Sequence, residues 1–140
     1  MDIYSITKAQ NENDLERFYP VIKELRNDLA FSDYLSLYKL AHEANGYEIV
    51  ALERGNQVLA VMGYRILYDY VHGKHIYIDD LVSIPQERSK GFGTKLLVYA
   101  EKLAKELDCC GLRLCTGIDN ELGKKFYEKG NLFKVNILLI

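Results

Sequence analysis

The stretch from His75 to Thr116 constrains the fold more than any other part of the chain. It opens with an apolar run, His75-Ile-Tyr-Ile-Asp-Asp-Leu-Val-Ser-Ile84, which Pro85 closes. From Gly91 to Asp108 the period changes. Leu96, Leu97, Ala100, Leu103, Ala104 and Leu107 then fall on one helical face, opposite Lys95, Glu101, Lys102, Lys105 and Glu106. A short strand, Leu112–Thr116, follows Gly111. Strand, helix and strand over this length make a crossover, so the two strands are expected to be parallel neighbours joined in the right-handed sense.

The segments before and after this unit extend the sheet. Tyr47–Glu53 and Val58–Tyr68 are β-rich runs separated by Arg54-Gly-Asn-Gln57, and a second turn at His72-Gly-Lys74 leads into the strand at His75. This pattern predicts a three-stranded antiparallel meander that continues into the parallel pair. Further upstream, Leu15, Phe18, Ile22, Leu25 and Leu29 recur at intervals of three and four, predicting a helix over Asn11–Leu29 that Pro20 splits or kinks. A second helix is expected over Ser32–Glu43, stopped by Asn45-Gly46. Downstream lie a helix over Asn120–Lys129 and an apolar run from Phe133 to Ile140. The expectation is an α/β fold of the mixed-sheet, α+β kind, with helices on both faces, built as one domain over residues 1–140.

Charge and cysteine content remove several functional classes. The net charge is -2, from 18 basic and 20 acidic residues, so no overall field gathers nucleic acid or anionic lipid. An anion site must therefore be local. The N-terminus lacks the basic stretch and apolar run of a signal peptide, and no apolar segment is long enough to cross a bilayer, so a cytoplasmic protein is expected. Cys109, Cys110 and Cys115 have neither the number of a disulfide framework nor the paired spacing of a zinc site. Reduced thiols and no metal are expected.

The junction Pro85-Gln-Glu-Arg-Ser-Lys-Gly-Phe-Gly-Thr94 is the candidate for such a local anion site. The first turn of a helix has unpaired N–H groups and the positive end of the macrodipole. Gly91 and Gly93 let backbone approach an anion, Arg88 and Lys90 add positive charge, and Phe92 packs inward. On spacing alone, the two glycines serve turn geometry as well as they serve phosphate. Two standard phosphate motifs are excluded. A dinucleotide fingerprint needs a third glycine where Leu96 stands, and Gly117–Lys125 has one residue too many between its glycines for a P-loop.

Asp79 to Leu97 resembles the acyl-CoA motif of the GCN5-related N-acetyltransferase (GNAT) family, Arg/Gln-x-x-Gly-x-Gly/Ala after a strand. Asn120-Glu-Leu-Gly-Lys-Lys-Phe-Tyr-Glu-Lys129 is similar to that family's Asn-x-x-Ala-x-x-Phe-Tyr-x-Lys helix. The resemblance implies acetyl-CoA as co-substrate, its pyrophosphate held by Arg88, Ser89, Lys90, Gly91, Phe92, Gly93 and Thr94. It also implies that the strands on either side of the crossover splay apart to admit the pantetheine arm. Leu81, Val82 and Ser83 would then offer backbone contacts, the Leu81 N–H reaching the acetyl carbonyl, with Asn120 and Lys129 completing the cofactor site. The glycine after Lys129 comes one residue earlier than in many family members, so the path into the final strand is altered.

Direct transfer to an amine needs a base and an acid. By the same resemblance Tyr127 is the expected acid, in competition with ordinary packing in its helix. Asp79 is the expected base, with Asp80 or a water chain as alternatives. Simple alternation would send the two carboxylates to opposite faces of the sheet, and either could instead anchor a loop. The reading is an acetyltransferase acting on a primary amine of a small molecule or peptide, with a non-catalytic acyl-CoA sensor as the alternative. By analogy the two N-terminal helices and the loop around Ala44 to Tyr47 line the acceptor site, with Tyr34, Tyr38, His42 and Glu43 as candidates. A homodimer is expected to cover the edge of the last strand.

Overall fold

A computed structural model describes residues 3–86, 91–116 and 134–139. In chain order the elements are β1 (Tyr4–Lys8), α1 (Glu12–Leu25), α2 (Phe31–Asn45), β2 (Glu48–Arg54), β3 (Gln57–Asp69), β4 (Gly73–Ser83), α3 (Phe92–Glu106), β5 (Gly111–Thr116) and β6 (Lys134–Leu139). The strands form one sheet in the order β1-β2-β3-β4-β5-β6. β1 to β4 are antiparallel neighbours, whereas β4, β5 and β6 run parallel. The expected meander and crossover are both present. β1 is additional, and its signal was Tyr4 and Ile6 alternating with Ser5 and Thr7.

Helices cover both faces. Along β2, Val50 and Leu52 point toward α3 while Ile49 and Ala51 point toward α1, as the two-residue period of a strand requires. On the α3 side, Ile76, Ile78, Leu112 and Leu114 of the parallel pair meet Leu96, Leu97, Ala100 and Ala104, which are fully or almost fully buried. This is the stripe read from the sequence. On the other side Leu15, Phe18, Val21 and Ile22 of α1 pack on Ile49, Ala51, Val61 and Val82.

α1 begins where Asn11 accepts a hydrogen bond from the Asp14 N–H at 2.9 Å, and Asp14 in turn accepts from the Gln10 N–H at 3.0 Å. The helix passes Pro20 unbroken. Pro20 and Glu16 both lie on its exposed side, so the Glu16 carbonyl that loses its intrahelical donor faces water. The helix also ends earlier than its periodicity suggests, at Leu25, with Arg26 as its C-cap, so Leu29 belongs to the connection into α2. Gly46, at φ 66°, closes α2 in the left-handed conformation expected of a glycine stop.

Candidate active site

Two irregularities in β4 build the site. The first is a bulge. Gly63 of β3 pairs with Asp80, but the next residue, Tyr64, pairs with Ile78, so Asp79 is the extra residue on β4. Ile78 therefore belongs to the core beneath α3, while Val82, four residues on, belongs to the core beneath α1. Regular alternation would keep those two on one face.

The bulge corrects the expectation that Asp79 and Asp80 face opposite ways. Asp79 lies against Arg65, whose neighbours Tyr64 and Ile66 face α3, so Arg65 and Asp79 are on the α1 side. Asp80 is on that side too, where it meets Arg26 of the α1 C-cap and Tyr47.

Each carboxylate is held by a guanidinium. Arg65 donates to both oxygens of Asp79 at 2.8 Å, a bidentate fork, and its guanidinium lies over the Tyr77 ring. Arg26 donates from Nε and Nη2 to Oδ1 of Asp80, at 2.9 and 2.7 Å, and from Nη2 to the Asp79 carbonyl at 3.2 Å. The Tyr47 hydroxyl donates to Oδ2 of Asp80 at 2.7 Å. Burial, then the nearby Asp80 charge, pushes the Tyr47 phenol far above its ordinary range, so it remains a donor at any working pH.

Gly63 makes room for this tyrosine. A Cβ at that position would lie 1.9 Å from the Tyr47 hydroxyl oxygen.

Asp80, Arg26 and Tyr47 form the polar end of a hollow of about 310 Å³ between α1, α2 and the sheet. Tyr34 and Tyr38 line it, as expected from the sequence; His42 and Glu43 are not among its lining residues. Tyr34 presents only its ring, because its hydroxyl donates to the Leu15 carbonyl at 2.7 Å. His42 stacks on Tyr38 with ring centroids 5.5 Å apart.

The second irregularity is a gap. The parallel ladder between β4 and β5 runs from His75↔Gly111 to Ile78↔Leu114 and stops, while β4 continues to Ser83 and β5 to Thr116. The splay implied by the resemblance is therefore present, and it begins at the bulge. Leu81, Val82 and Ser83 lie on the stretch of β4 beyond the ladder, where Val82 and Leu81 turn their side chains to the α1 and α3 cores respectively.

At the far end of the same stretch α3 starts. Gly91 is its N-cap at φ 79°, a left-handed conformation in which other residues are strained. Among the described residues no side chain caps this end, and no acid lies in its first turn, so the positive end of the helix is uncompensated from within the element. Phe92 is buried against Tyr4, and Gly93 is buried, so only backbone of these residues can meet a ligand. Arg88, Ser89, Lys90, Asn120, Tyr127 and Lys129 lie outside the described residues.

A second polar cluster occupies the opposite end of β4. Asp69, His72 and His75 bring potential ligand atoms within 4.8 Å of one another. Arg113 occupies the space between them: its Nη1 is 3.2 Å from Asp69 Oδ2 and from His72 Nδ1, and 3.4 Å from His75 Nε2. The guanidinium supplies the positive charge that this donor set attracts. Its other face lies over Tyr77 at 4.8 Å.

The sequence placed the loop ending at Tyr47 beside the acceptor site, where Tyr47 is found, but did not single out Arg26 or Arg65. Arg65 carried a signal, being the one charge in the run Val58–Tyr68, which calls for an opposite charge on a neighbouring strand. Arg26 carried none beyond lying near a helix end.

A mixed sheet opened at its parallel pair, with an anion-ready helix start at one end of the opening and carboxylates at the other, belongs to the acetyltransferase class. The sequence gives the family: the model of the acetyltransferase (GNAT) family matches residues 8–131, and the chain belongs to that family. The uncharacterized N-acetyltransferase YhdJ of Bacillus subtilis (strain 168) is 30% identical over 109 residues, 78% of this chain and 77% of the relative. Mouse thialysine N-epsilon-acetyltransferase is 26% identical over 135 residues, 86% of this chain and 79% of the relative. Among solved structures, the aminoglycoside N-acetyltransferase AAC(6')-Iy in complex with CoA superimposes with a TM-score of 0.76 at 16% identity. That match covers 92% of this chain and 87% of the other, and the likeness is one of fold.

Proposed function

We propose that this acetyltransferase moves an acetyl group from acetyl-CoA directly to a primary amine of a small molecule or peptide. The observation that carries the reading is the opening of β4 from β5 at Ile78↔Leu114, directly beside Asp80 and its hollow. The residues fit the co-substrate. The backbone of Gly91, Phe92, Gly93 and Thr94 starts a helix that no described side chain caps and that is free of acid in its first turn, suited to a pyrophosphate, with Arg88, Ser89 and Lys90 preceding it in the chain. β4 from Leu81 through Val82 to Ser83 provides backbone for the pantetheine amides, and the Leu81 N–H is assigned to the acetyl carbonyl. Asn120 and Lys129 are assigned to the same site from the family motif.

The amine enters from the hollow as an ammonium ion. Asp79 was the expected base, but it is not among the residues that line the hollow, whereas Asp80 is; both carboxylates have both oxygens hydrogen-bonded, so access to the hollow separates them. Asp80 is therefore the assigned proton acceptor, directly or through one water, and Asp79 is a positioning residue that fixes the bulge. The amine nitrogen then forms a bond to the thioester carbon, and the Leu81 N–H donates to the oxyanion. As the C–S bond breaks, Tyr127 gives a proton to the departing thiolate and recovers one from the nitrogen, which sheds its second proton as the amide forms. The products are an amide and CoA.

Asp80→Asn is expected to lower kcat by about 10²–10³-fold, most at low pH where the amine arrives fully protonated, with Asp79→Asn milder. A larger loss in Asp79→Asn, with an altered pH profile, returns the base to Asp79.

A further inference from the structure

The charge and lining of the hollow go further and specify the kind of amine. Each of the two carboxylates already has its own guanidinium, Asp79 with Arg65 and Asp80 with Arg26. Both ion pairs are electrically balanced, and among the described residues that line the hollow Asp80 is the one acid, able to receive a single ammonium. A polycation would bring ammonium groups with no carboxylate to receive them, and an ammonium held against apolar wall without a partner is strongly disfavoured.

The wall away from Asp80 is apolar. Ile22, Leu29, Ile49, Leu37 and Ala41 form it together with the rings of Tyr34 and Tyr38. The volume of about 310 Å³ is on the order of ten water molecules' share of liquid water, room for a body of modest size. Leu37 is 56% exposed in this structure, and Leu40, also on α2, is 64% exposed. Leu37 therefore gains burial when an apolar group fills the hollow.

We infer that the acceptor is a monoamine carried on an apolar aliphatic or aryl body, its nitrogen at the Asp80 end and its body against Leu37 and Ile22. This rests on the transferase reading above and narrows it. Nothing in the lining among the described residues suits an aminoglycoside, although the superimposed AAC(6')-Iy is named for that class.

The test is acetyl-CoA turnover with hexylamine and 2-phenylethylamine against spermidine and kanamycin, with the acetylated amine detected by mass spectrometry. The monoamines should show kcat/KM at least roughly tenfold higher than either polycation. Leu37→Glu places a carboxylate on the half-open wall without disturbing the buried core. It should raise KM for hexylamine at least about fivefold while improving turnover of spermidine. Preference for spermidine or kanamycin in the unaltered protein, or indifference of all four amines to Leu37→Glu, overturns the monoamine assignment and leaves the transferase standing. Acetylation of none of the four, with another amine acetylated, overturns the monoamine assignment alone; no amine-dependent product from any amine overturns the transferase reading, and the monoamine assignment with it.

Discussion

Gly63 offers the sharpest test of how the site is assembled, because it separates a packing requirement from a hydrogen bond. An alanine Cβ at this position would lie 1.9 Å from the Tyr47 hydroxyl oxygen, 2.6 Å from Cζ and 2.9 Å from Cε1. Ordinary contact begins near 3.4 Å, so the end of the ring must retreat by about 1.5 Å. That movement breaks the 2.7 Å bond from the hydroxyl to Asp80. Tyr47→Phe removes the hydroxyl alone and should cost about 1.5–3 kcal/mol, the range for a hydrogen bond to a charged group. Gly63→Ala should cost that amount and about 1–3 kcal/mol more for overpacking, since the ring carbons still collide. Tyr47→Ala removes the whole obstacle. Adding Gly63→Ala to Tyr47→Ala should then change stability by no more than about 0.5 kcal/mol. Urea denaturation of the four proteins measures the cycle. If Gly63→Ala costs the same in both backgrounds, the glycine is not there to admit Tyr47, and the arrangement of Asp80 described above is wrong.

Other consequences can be checked independently. Arg65→Gln leaves the Asp79 carboxylate without its bidentate counter-ion in a partly exposed site; a loss of about 1–2 kcal/mol is expected, and Asp79→Asn in the same protein should recover part of it in thermal melts. The Asp69 carboxyl is held below its ordinary value of 3.8, first by the His72 backbone N–H and then by the His72 side chain. Its folded value is depressed, so its stabilisation is present above the unfolded value and is lost as pH falls through the folded one. Asp69→Asn should therefore flatten the fall in Tm below about pH 4, and an unchanged acid limb would contradict this. Cys109 is buried, and burial pushes its thiol up, whereas Cys110 is exposed; in the folded protein iodoacetamide should label Cys110 well before Cys109, as read by peptide mass mapping.

Much of the fold was legible because its signals are periodic. The α3 stripe from Leu96 to Leu107 and the short turns at Gly55 and Gly73 left little choice of element or connection. The opening between β4 and β5 was reached only through the family motif, since no local pattern marks where a ladder stops.

What the sequence concealed is a matter of single residues. Asp79-Asp80 reads as plain alternation, and nothing local announces that the chain inserts an extra residue there; the bulge is set by how β3 and β4 pair, with Gly63 opposite Asp80. That one residue decides which face each carboxylate takes. Arg26 illustrates the same limit from the helix side. Its periodicity places it on a polar face, yet the helix ends just before it, and as C-cap it reaches across to Asp80 and to the Asp79 carbonyl.

The most direct measurement is the rate at which purified protein converts acetyl-CoA and hexylamine to CoA and N-acetylhexylamine, followed by mass spectrometry of both products. Equal amounts of the two should appear, with saturation in each substrate and a loss of about 10²–10³-fold in Asp80→Asn. Tight binding of acetyl-CoA with no amine-dependent product, from this or any other amine, would show a chain that holds the co-substrate without transferring its acetyl group.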